Sequence, residues 1–505
     1  MFRISNRMMY NNSLINAFRN NEGLLRAQEQ ISSGKRINRP SDDPVGMMEV
    51  LKFRTDIGLS GQYLSVMENA ESFLNTADSV LGTVHNQLKT AKEQALQQAG
   101  GLATAETRKT AAIVIDNMVE QMIQLGNTRV GHRYLFSGQR SEAPALDSNG
   151  DYTGSGRDLT AEITLNEVIP ISVRASEFLT ADMNPSVSAA NGATPLASLN
   201  GGSGVPAGSF TITDRAGNSM LIDTTAMADL EDVITAINGG GTNITASISS
   251  NGGSLVLTDS SAPPTQPITV QANATSAALG LAGTRAVSVF TGDDLDPAIT
   301  ASTPISSLYG GQGMTLNDIK LLNGGASATV SFAGAVTVGD VVTALNTAGA
   351  AINITAAIDA TGRKLEITST NPATVAMARE AGTGATAEML GIGGGRNVIP
   401  ILKKLSAALK ANDLPGILTS IDALDSVMDT TNSVRGAVGA RVNHIITTRG
   451  SEETSQYDNT KLKSFVEDAD YLAAASELAM LQTAYQATLK SASSIIQPSL
   501  LDFIR

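Results

Sequence analysis

No cysteine occurs among the 505 residues, which removes disulfide bridges, thiolate metal sites and a cysteine nucleophile together. Tryptophan is also missing and aromatics amount to 4% against 42% hydrophobic residues, so a core must be built from Ala, Leu, Ile, Val and Met. That composition suits long helices packed side by side. Basic charge is short as well. The 35 Lys and Arg stand against 48 Asp and Glu, and the resulting net charge of −13 argues against a nucleic-acid partner, whose phosphates need a basic surface. No 18 apolar residues follow one another, so membrane insertion is not expected. The opening Met1 to Tyr10 lacks the apolar run of a secretory signal, so export would need another route.

Catalytic chemistry is equally sparse. His85, His132 and His444 fall on separate segments without metal-ligand spacing, and no cofactor is expected. The glycine runs Gly239–Gly241 and Gly391–Gly395 lack the Lys-Ser/Thr end of a phosphate loop and read as linkers. Asp42 with Asp43 could serve as an acid and base pair, yet their flanking prolines favour helix capping. Three Asn-X-Thr triplets, at Asn243, Asn273 and Asn353, read as coincidences of an Asn- and Thr-rich composition. The chain is not expected to be an enzyme.

What is present is periodicity. Met67, Ala70, Leu74, Ala77, Leu81, Val84, Leu88, Ala91 and Ala95 recur at spacings of three and four, a heptad seam. A stripe of that length needs an equally long partner. A second helix is predicted over Ala105 to Leu135, with Val114, Met118, Met122 and Leu125 on its apolar side, forming an antiparallel hairpin with the first across Gly100-Gly101. Toward the other end, Ile417, Ile421, Leu424, Met428, Thr431, Val438, Val442 and Ile445 repeat the seam on a helix reaching about Asp458. One more helix is predicted over 461–496, carrying Leu462, Phe465, Ala469, Leu472, Leu478, Leu481, Tyr485, Leu489, Ala492 and Ile496. Leu14, Phe18, Leu25 and Ile31 make a matching stripe near the N-terminus.

Amphipathic helices at both ends expose one apolar stripe each and are marginal alone, so each needs the other or a neighbouring subunit. Burying such a side chain contributes about 1.5 to 3 kcal/mol. Leu14, Phe18, Leu25, Ile31, Leu472, Leu478, Leu481, Tyr485, Leu489 and Ile496 are therefore the expected assembly surface.

The middle changes character, being rich in Gly, Ser and Thr with short alternating runs, and it contains an internal repeat. Thr194–Gly202 aligns with Thr303–Gly311, Asp232–Asn238 with Asp340–Asn346, Asn243–Ile248 with Asn353–Ile358, and Leu255–Ser260 with Leu365–Thr370. Each unit is predicted as strand, short helix and a hairpin turning at Asn251-Gly-Gly253 or Ala360-Thr-Gly362. Between Thr180 and Gly395 stand 16 acidic and 6 basic residues, so most of the net charge lies here and the insertion is expected to be outermost.

Gln30-Ile-Ser-Ser-Gly-Lys-Arg-Ile-Asn-Arg-Pro-Ser-Asp-Asp-Pro-Val-Gly46 resembles the N-terminal signature of the flagellin superfamily. Physically, the first helix should stop at Gly34, Asn38 to Pro44 should turn, and Asp42 and Asp43 should cap the second helix. The Arg39-Pro-Ser-Asp-Asp-Pro44 form, with proline on both sides, is similar to the hook-associated, hook-filament junction branch of that family. Phe2-Arg-Ile-Ser5, Tyr134-Leu-Phe-Ser-Gly138 and Ser499-Leu-Leu-Asp-Phe-Ile504 resemble the same branch. Gly34, Asn38, Arg39, Pro40, Asp42, Asp43 and Pro44 form the signature turn.

The resemblance implies a mainly α fold with a β-rich insertion. The N- and C-terminal helices would pair into a long coiled-coil or helical-bundle rod, with two tandem small α+β repeat domains in the middle. Divided on that basis, 1–60 and 461–505 form an inner coiled coil, 61–140 and 396–460 a rod, 141–190 a connector, and 191–300 and 301–395 the outer repeats. The implied function is a structural junction ring between hook and filament, outside the cell. The implied partners are other copies of the chain, the hook-side junction protein and flagellin. Type III export is implied too, with a chaperone at the C-terminal helix. The competing readings are a filament subunit, or a surface adhesin on a helical stalk.

Overall fold

The structure, a computed structural model, describes residues 6–496 apart from 166, 184–191, 201–203, 250–253, 263–265, 294 and 296–297, and for 6, 7, 9, 10 and 494–496 the backbone alone. The motif residues 2–5 and 499–504 and the turn at 251–253 lie outside the described residues, as does the Ile496 side chain. The fold is mostly helical with small antiparallel sheets.

Helix α1 (Asn6–Ser33) is followed by α2 (Pro44–Ala99) and α3 (Ala105–Gly126). All nine seam residues from Met67 to Ala95 are at most 1% exposed, so the heptad reading of α2 holds residue by residue. Helix α3 starts where Thr104 and Thr107 cap each other reciprocally. It ends at Gly126 and not at Leu135. Asn127 turns the chain there by exchanging two 2.9 Å hydrogen bonds with the Leu146 backbone. Its buried face is also rotated from the expected one: Met122 is buried as expected, but Ala111, Ala112, Ile115 and Val119 join it there while Val114 is 40% exposed.

Beyond the short hairpin β1 (Arg129–Val130) and β2 (Arg133–Tyr134), the chain buries Leu135, Phe136 and Ser137. Phe136 meets Phe178 edge to face at 5.1 Å. Gly138 adopts φ +63, and a Cβ there would lie 2.3 Å from the Arg157 carbonyl oxygen, which makes glycine obligatory. A second hairpin joins β3 (Thr160–Thr164) to β4 (Glu167–Pro170).

Two similarly built segments come next along the chain. In the first, the hairpin β5 (Ser209–Thr213) and β6 (Ser219–Asp223) leads through α4 (Leu230–Asn238) to the hairpin β7 (Ile244–Ile248) and β8 (Leu255–Asp259). Strand β9 (Ile268–Val270), the short α5 (Ala274–Ala278), β10 (Gly283–Arg285) and β11 (Val289–Thr291) complete two sheets, ordered β10-β9-β5-β6 and β11-β8-β7. The second segment opens with the short α6 (Leu308–Gly311) and the hairpin β12 (Ile319–Asn323) and β13 (Ala326–Val330), then α7 (Val338–Gly349) and the hairpin β14 (Ile354–Ile358) and β15 (Leu365–Ser369). Strand β16 (Met377–Glu380) adds to β12, and the short α8 (Thr386–Met389) closes it.

Each segment thus holds a hairpin on both sides of its helix, where a single strand was expected first. Equivalent residues do equivalent work. Asp229 with Asp232, and Thr337 with Asp340, form reciprocal caps. Asn238 brackets the Ala246 backbone with two hydrogen bonds, and Asn346 does the same at Ala356. Each segment has its own apolar core, around Phe210, Val233 and Leu257 in one and Leu321, Val341 and Ile367 in the other.

The chain then forms α9 (Val398–Ala411), α10 (Leu414–Glu467) and α11 (Tyr471–Ile496). Asp413 accepts from the Gly416 N–H at 3.2 Å and caps α10. On α10, Ile417, Ile421, Leu424, Thr431, Val438 and Ile445 are buried as expected, and Val427 is fully buried where Met428 was expected. Helix α10 runs past Asp458 to Glu467, so Leu462 and Phe465 belong to it and not to the terminal helix, and both are exposed. The boundary has no Gly or Pro; a tertiary bridge between Lys35 and Asp468 sets it.

Two compact units result: 1–68 with 162–167 and 445–505, and 69–161 with 168–444. In the larger unit, α2 joins α3 through Gln87 and Gln121 at 3.0 Å and joins α10 through Asp78 and Arg435 at 2.9 Å. Helix α9 joins α3 through Ser406 and Asp116 at 2.5 Å. No described helix is long and apolar enough to cross a membrane.

Candidate assembly site

The smaller unit contains the first and last described helices, α1 and α11, and the signature turn. Helix α1 stops at Gly34, whose φ of +72 suits glycine. Asp42 then accepts from the backbone N–H groups of Asn38 at 3.1 Å and Arg39 at 2.8 Å, closing a turn that Pro40 presets. Asp43 accepts from the Gly46 N–H at 2.9 Å and so caps α2, with Pro44 as its first residue. The two carboxylates therefore divide the labour: one holds the turn, the other the helix. Both sit below the usual carboxylate range, Asp42 chiefly through the Arg39 N–H and Asp43 chiefly through the Gly46 N–H. Asn38 Nδ2 donates to the Lys35 carbonyl at 3.1 Å, and Arg39 forks onto Glu29 at 3.1 and 3.2 Å.

Against this turn stands the elbow between α10 and α11. Glu467, 2% exposed, accepts from Lys35 at 2.6 Å and from Arg54 at 2.5 Å. Burial pushes its carboxyl up, and the two cations overcome burial and hold it below its ordinary value. The Ala469 N–H donates to the Gly34 carbonyl at 3.0 Å, and the Arg36 N–H to the Glu467 carbonyl at 2.7 Å. Lys35, Arg36, Arg54 and Glu467 escaped sequence reasoning because the partners lie some 430 positions apart, as in the Arg36 to Val466 hydrogen bond. A carboxylate at a helix end, placed opposite a basic turn, is the signal that was available.

From the elbow, α11 runs back along α1. Tyr471 Oη donates to the Ile31 carbonyl at 2.7 Å and Asn20 Nδ2 donates to Thr488 Oγ1 at 3.0 Å. Small residues sit at the contact: Ala27 and Ala474 are buried, and a Cβ on Gly23 would meet the Leu481 methyls at 3.3 Å. Of the expected assembly residues, Ile31, Leu478, Leu481 and Tyr485 are half-buried. Leu14, Phe18, Leu25, Leu472 and Leu489 are exposed, Phe18 at 66% and Leu472 at 84%. Met8, Met48, Tyr457, Phe465 and Met480 add further uncovered apolar surface to the same unit. No described group of His, Asp or Glu could hold a metal ion.

Residues 4–141 match the bacterial flagellin N-terminal helical region, and residues 209–261 match the flagellin hook IN motif. The chain is a relative of the flagellins and hook-associated proteins. It is 28% identical over 163 residues to flagellar hook-associated protein 3 of Salmonella typhimurium, covering 32% of this chain and 51% of that protein. It is also 28% identical over 177 residues to a flagellin of Clostridium tyrobutyricum, covering 35% of this chain and 44% of that protein. The chain spans about half the length of the hook-associated relative it matches. Among solved structures, flagellar hook associated protein-3 of Legionella pneumophila aligns over 83% of this chain and 98% of its own, at 14% identity and a TM-score of 0.35. The flagellin-type N-terminal region contains α1, the signature turn, α2 and α3, so the match includes the N-terminal half of the site, α1 and the turn.

Proposed function

We propose that this chain is a structural subunit of the bacterial flagellum, not an enzyme, which forms a junction ring between hook and filament and assembles through α1 and α11. The observation that carries the reading is the uncovered apolar surface on these helices, within a unit that contains the opening part of the flagellin-type N-terminal region, up to residue 68. An isolated pair of helices that leaves Phe18, Leu25 and Leu472 in water is marginal, and a neighbouring copy covering them would gain about 1.5 to 3 kcal/mol per side chain.

In this reading α1 and α11 form the inner coiled coil and α2, α3, α9 and α10 the rod. The two α+β segments, at 191–300 and 301–395, are tandem outer domains whose acidity keeps the assembled surface in solvent. The hook-side junction protein and flagellin are the neighbours on either side. The chain travels unfolded through the type III apparatus, with a chaperone at α11, and acts outside the cell.

Electron microscopy of a strain lacking this gene tests the proposal, together with an assay of flagellin shed into the medium. Hooks without filaments and with shed flagellin are expected; normal filaments would overturn the junction role. The match to a filament protein over 177 residues supports a second reading, a flagellin, and growth of long filaments from the purified chain alone would favour it.

A further inference from the structure

Residues 180–395 carry most of the chain's net negative charge, yet a cavity of the larger unit gathers three lysines. It measures about 540 Å³ and opens between β15, the 371–376 loop, the first turns of α9 and the turn at 149–151. That volume suits a small organic molecule. Lys364 is already neutralised, since its Nζ pairs with Asp151 and also reaches Thr180 Oγ1 at 3.4 Å.

Lys403 and Lys404 are different. Lys403 Nζ donates to the Asn149 carbonyl at 2.5 Å and Lys404 Nζ to the Ile392 carbonyl at 3.2 Å. Among the described residues, no carboxylate lies within ion-pair distance of either ammonium. A carbonyl takes one of the three ammonium protons and leaves the charge without a carboxylate partner, at an exposed position for Lys403 and a half-buried one for Lys404. The acidic lining does not supply the missing partner. Asp151 belongs to Lys364, and Asp359 accepts from the backbone N–H groups of Arg363 and Lys364, each at 2.9 Å. Glu366 faces Lys404 at longer range from the exposed side of β15.

The electrostatics agree with the geometry. Burial holds the Lys404 amine well below its ordinary value, at about 8, with Glu366 pulling it up and Lys364 pushing it further down. Burial makes the protonated form of Lys404 costly, and an anion beside it would relieve that cost. Ile367, Ile392 and Ile399, all nearly buried, line the cavity and offer an apolar wall for a carbon skeleton.

We propose that this cavity is a binding site for a small organic anion, which presents a carboxylate or phosphate group to Lys403 and Lys404 and rests its apolar part on Ile367, Ile392 and Ile399. Binding couples to proton uptake at Lys404 near pH 8, because the anion favours the charged amine. The site is independent of the flagellar assignment and holds for the chain as a monomer.

Calorimetry of the full-length monomeric chain tests the proposal. Sodium succinate and sodium phosphate serve as probes, each against sodium chloride at matched ionic strength. Saturable heat with at least one of the two anions is expected, weakened at least tenfold by Lys403→Gln and by Lys404→Gln, and strengthened severalfold by Glu366→Gln, which removes a repelling carboxylate. Repeated at pH 8 in buffers of different ionisation heat, binding takes up protons in the unmodified chain and in Lys403→Gln and takes up none in Lys404→Gln. Absence of saturable heat with both anions would overturn the proposal. So would affinities that stay unchanged in all three variants; Glu366→Gln, on an exposed strand position, keeps the test decisive if a lysine variant folds poorly.

Discussion

Gly34 and Gly138 both adopt positive φ, but they do so for different physical reasons. Nothing lies within 4 Å of a Cβ at Gly34, so alanine there meets only the left-handed backbone penalty of roughly 1 to 2 kcal/mol. At Gly138 the same penalty is joined by a collision with the Arg157 carbonyl at 2.3 Å. Denaturant unfolding is expected to rank Gly138→Ala as the far more destabilised variant; equal losses would contradict the geometry. Glu467 makes a prediction in pH. Its folded pKa is lowered by Lys35 and Arg54 in spite of burial, so the folded state binds fewer protons than the unfolded chain around that range. The elbow's stability is therefore fully present above about pH 4.3, the ordinary glutamate value, and is lost as pH falls through the lowered one. Hydrogen exchange at the elbow amides of Asp468 and Ala469 should show protection that fades on acidification. In Glu467→Gln protection should be weak throughout and less sensitive to pH.

Among elements, α2 and α3 separate what periodicity gives from what packing gives. The α2 seam runs for many turns, and a heptad sustained that long leaves one face to bury, so Leu81 was identifiable as core from the sequence. Helix α3 is shorter than α2, and its unbroken apolar run from Ala111 to Ile115 permits two adjacent faces; contact with α9, through Asp116 and Ser406, selects the face carrying Ile115 over the one carrying Val114. Leu81→Ala should cost about 2 to 5 kcal/mol. Val114→Ala should stay within about 0.5 kcal/mol, as an exposed position does. Thermal denaturation of the two variants checks both figures, and a large loss at Val114 would restore the face read from sequence. The extension of α10 to Glu467 has the same origin: no local breaker marks the end, and the bridge of Lys35 to Asp468 does.

For the whole molecule, the decisive contrast is between surfaces that serve the fold and surfaces kept for assembly. Phe18 and Leu472 are exposed at 66% and 84%, so replacing both with serine should leave the melting temperature of the free chain nearly unchanged. The same double variant should fail to incorporate into assembled flagella, which pelleting and microscopy would read. A large fall in melting temperature would mean instead that these side chains pack within the monomer. Hydrogen exchange of the free chain should find residues 6–33 and 471–493 weakly protected and the α2 seam strongly protected, because two helices with an uncovered apolar face are marginal alone.

Sequence by itself determined the long helices of α2 and α10, the stop at Gly34, the cap at Asp43, and the pairing of equivalent residues in the two α+β segments. Each rests on interactions within a few residues or on a strict period, which a linear pattern records. Only the tertiary structure decided which face of α3 turns inward, where α10 yields to α11, how Glu467 is shared between Lys35 and Arg54, and that Lys403 and Lys404 meet a cavity without a carboxylate partner. Those features join residues far apart along the chain, which carries no local mark of a partner it meets only after folding.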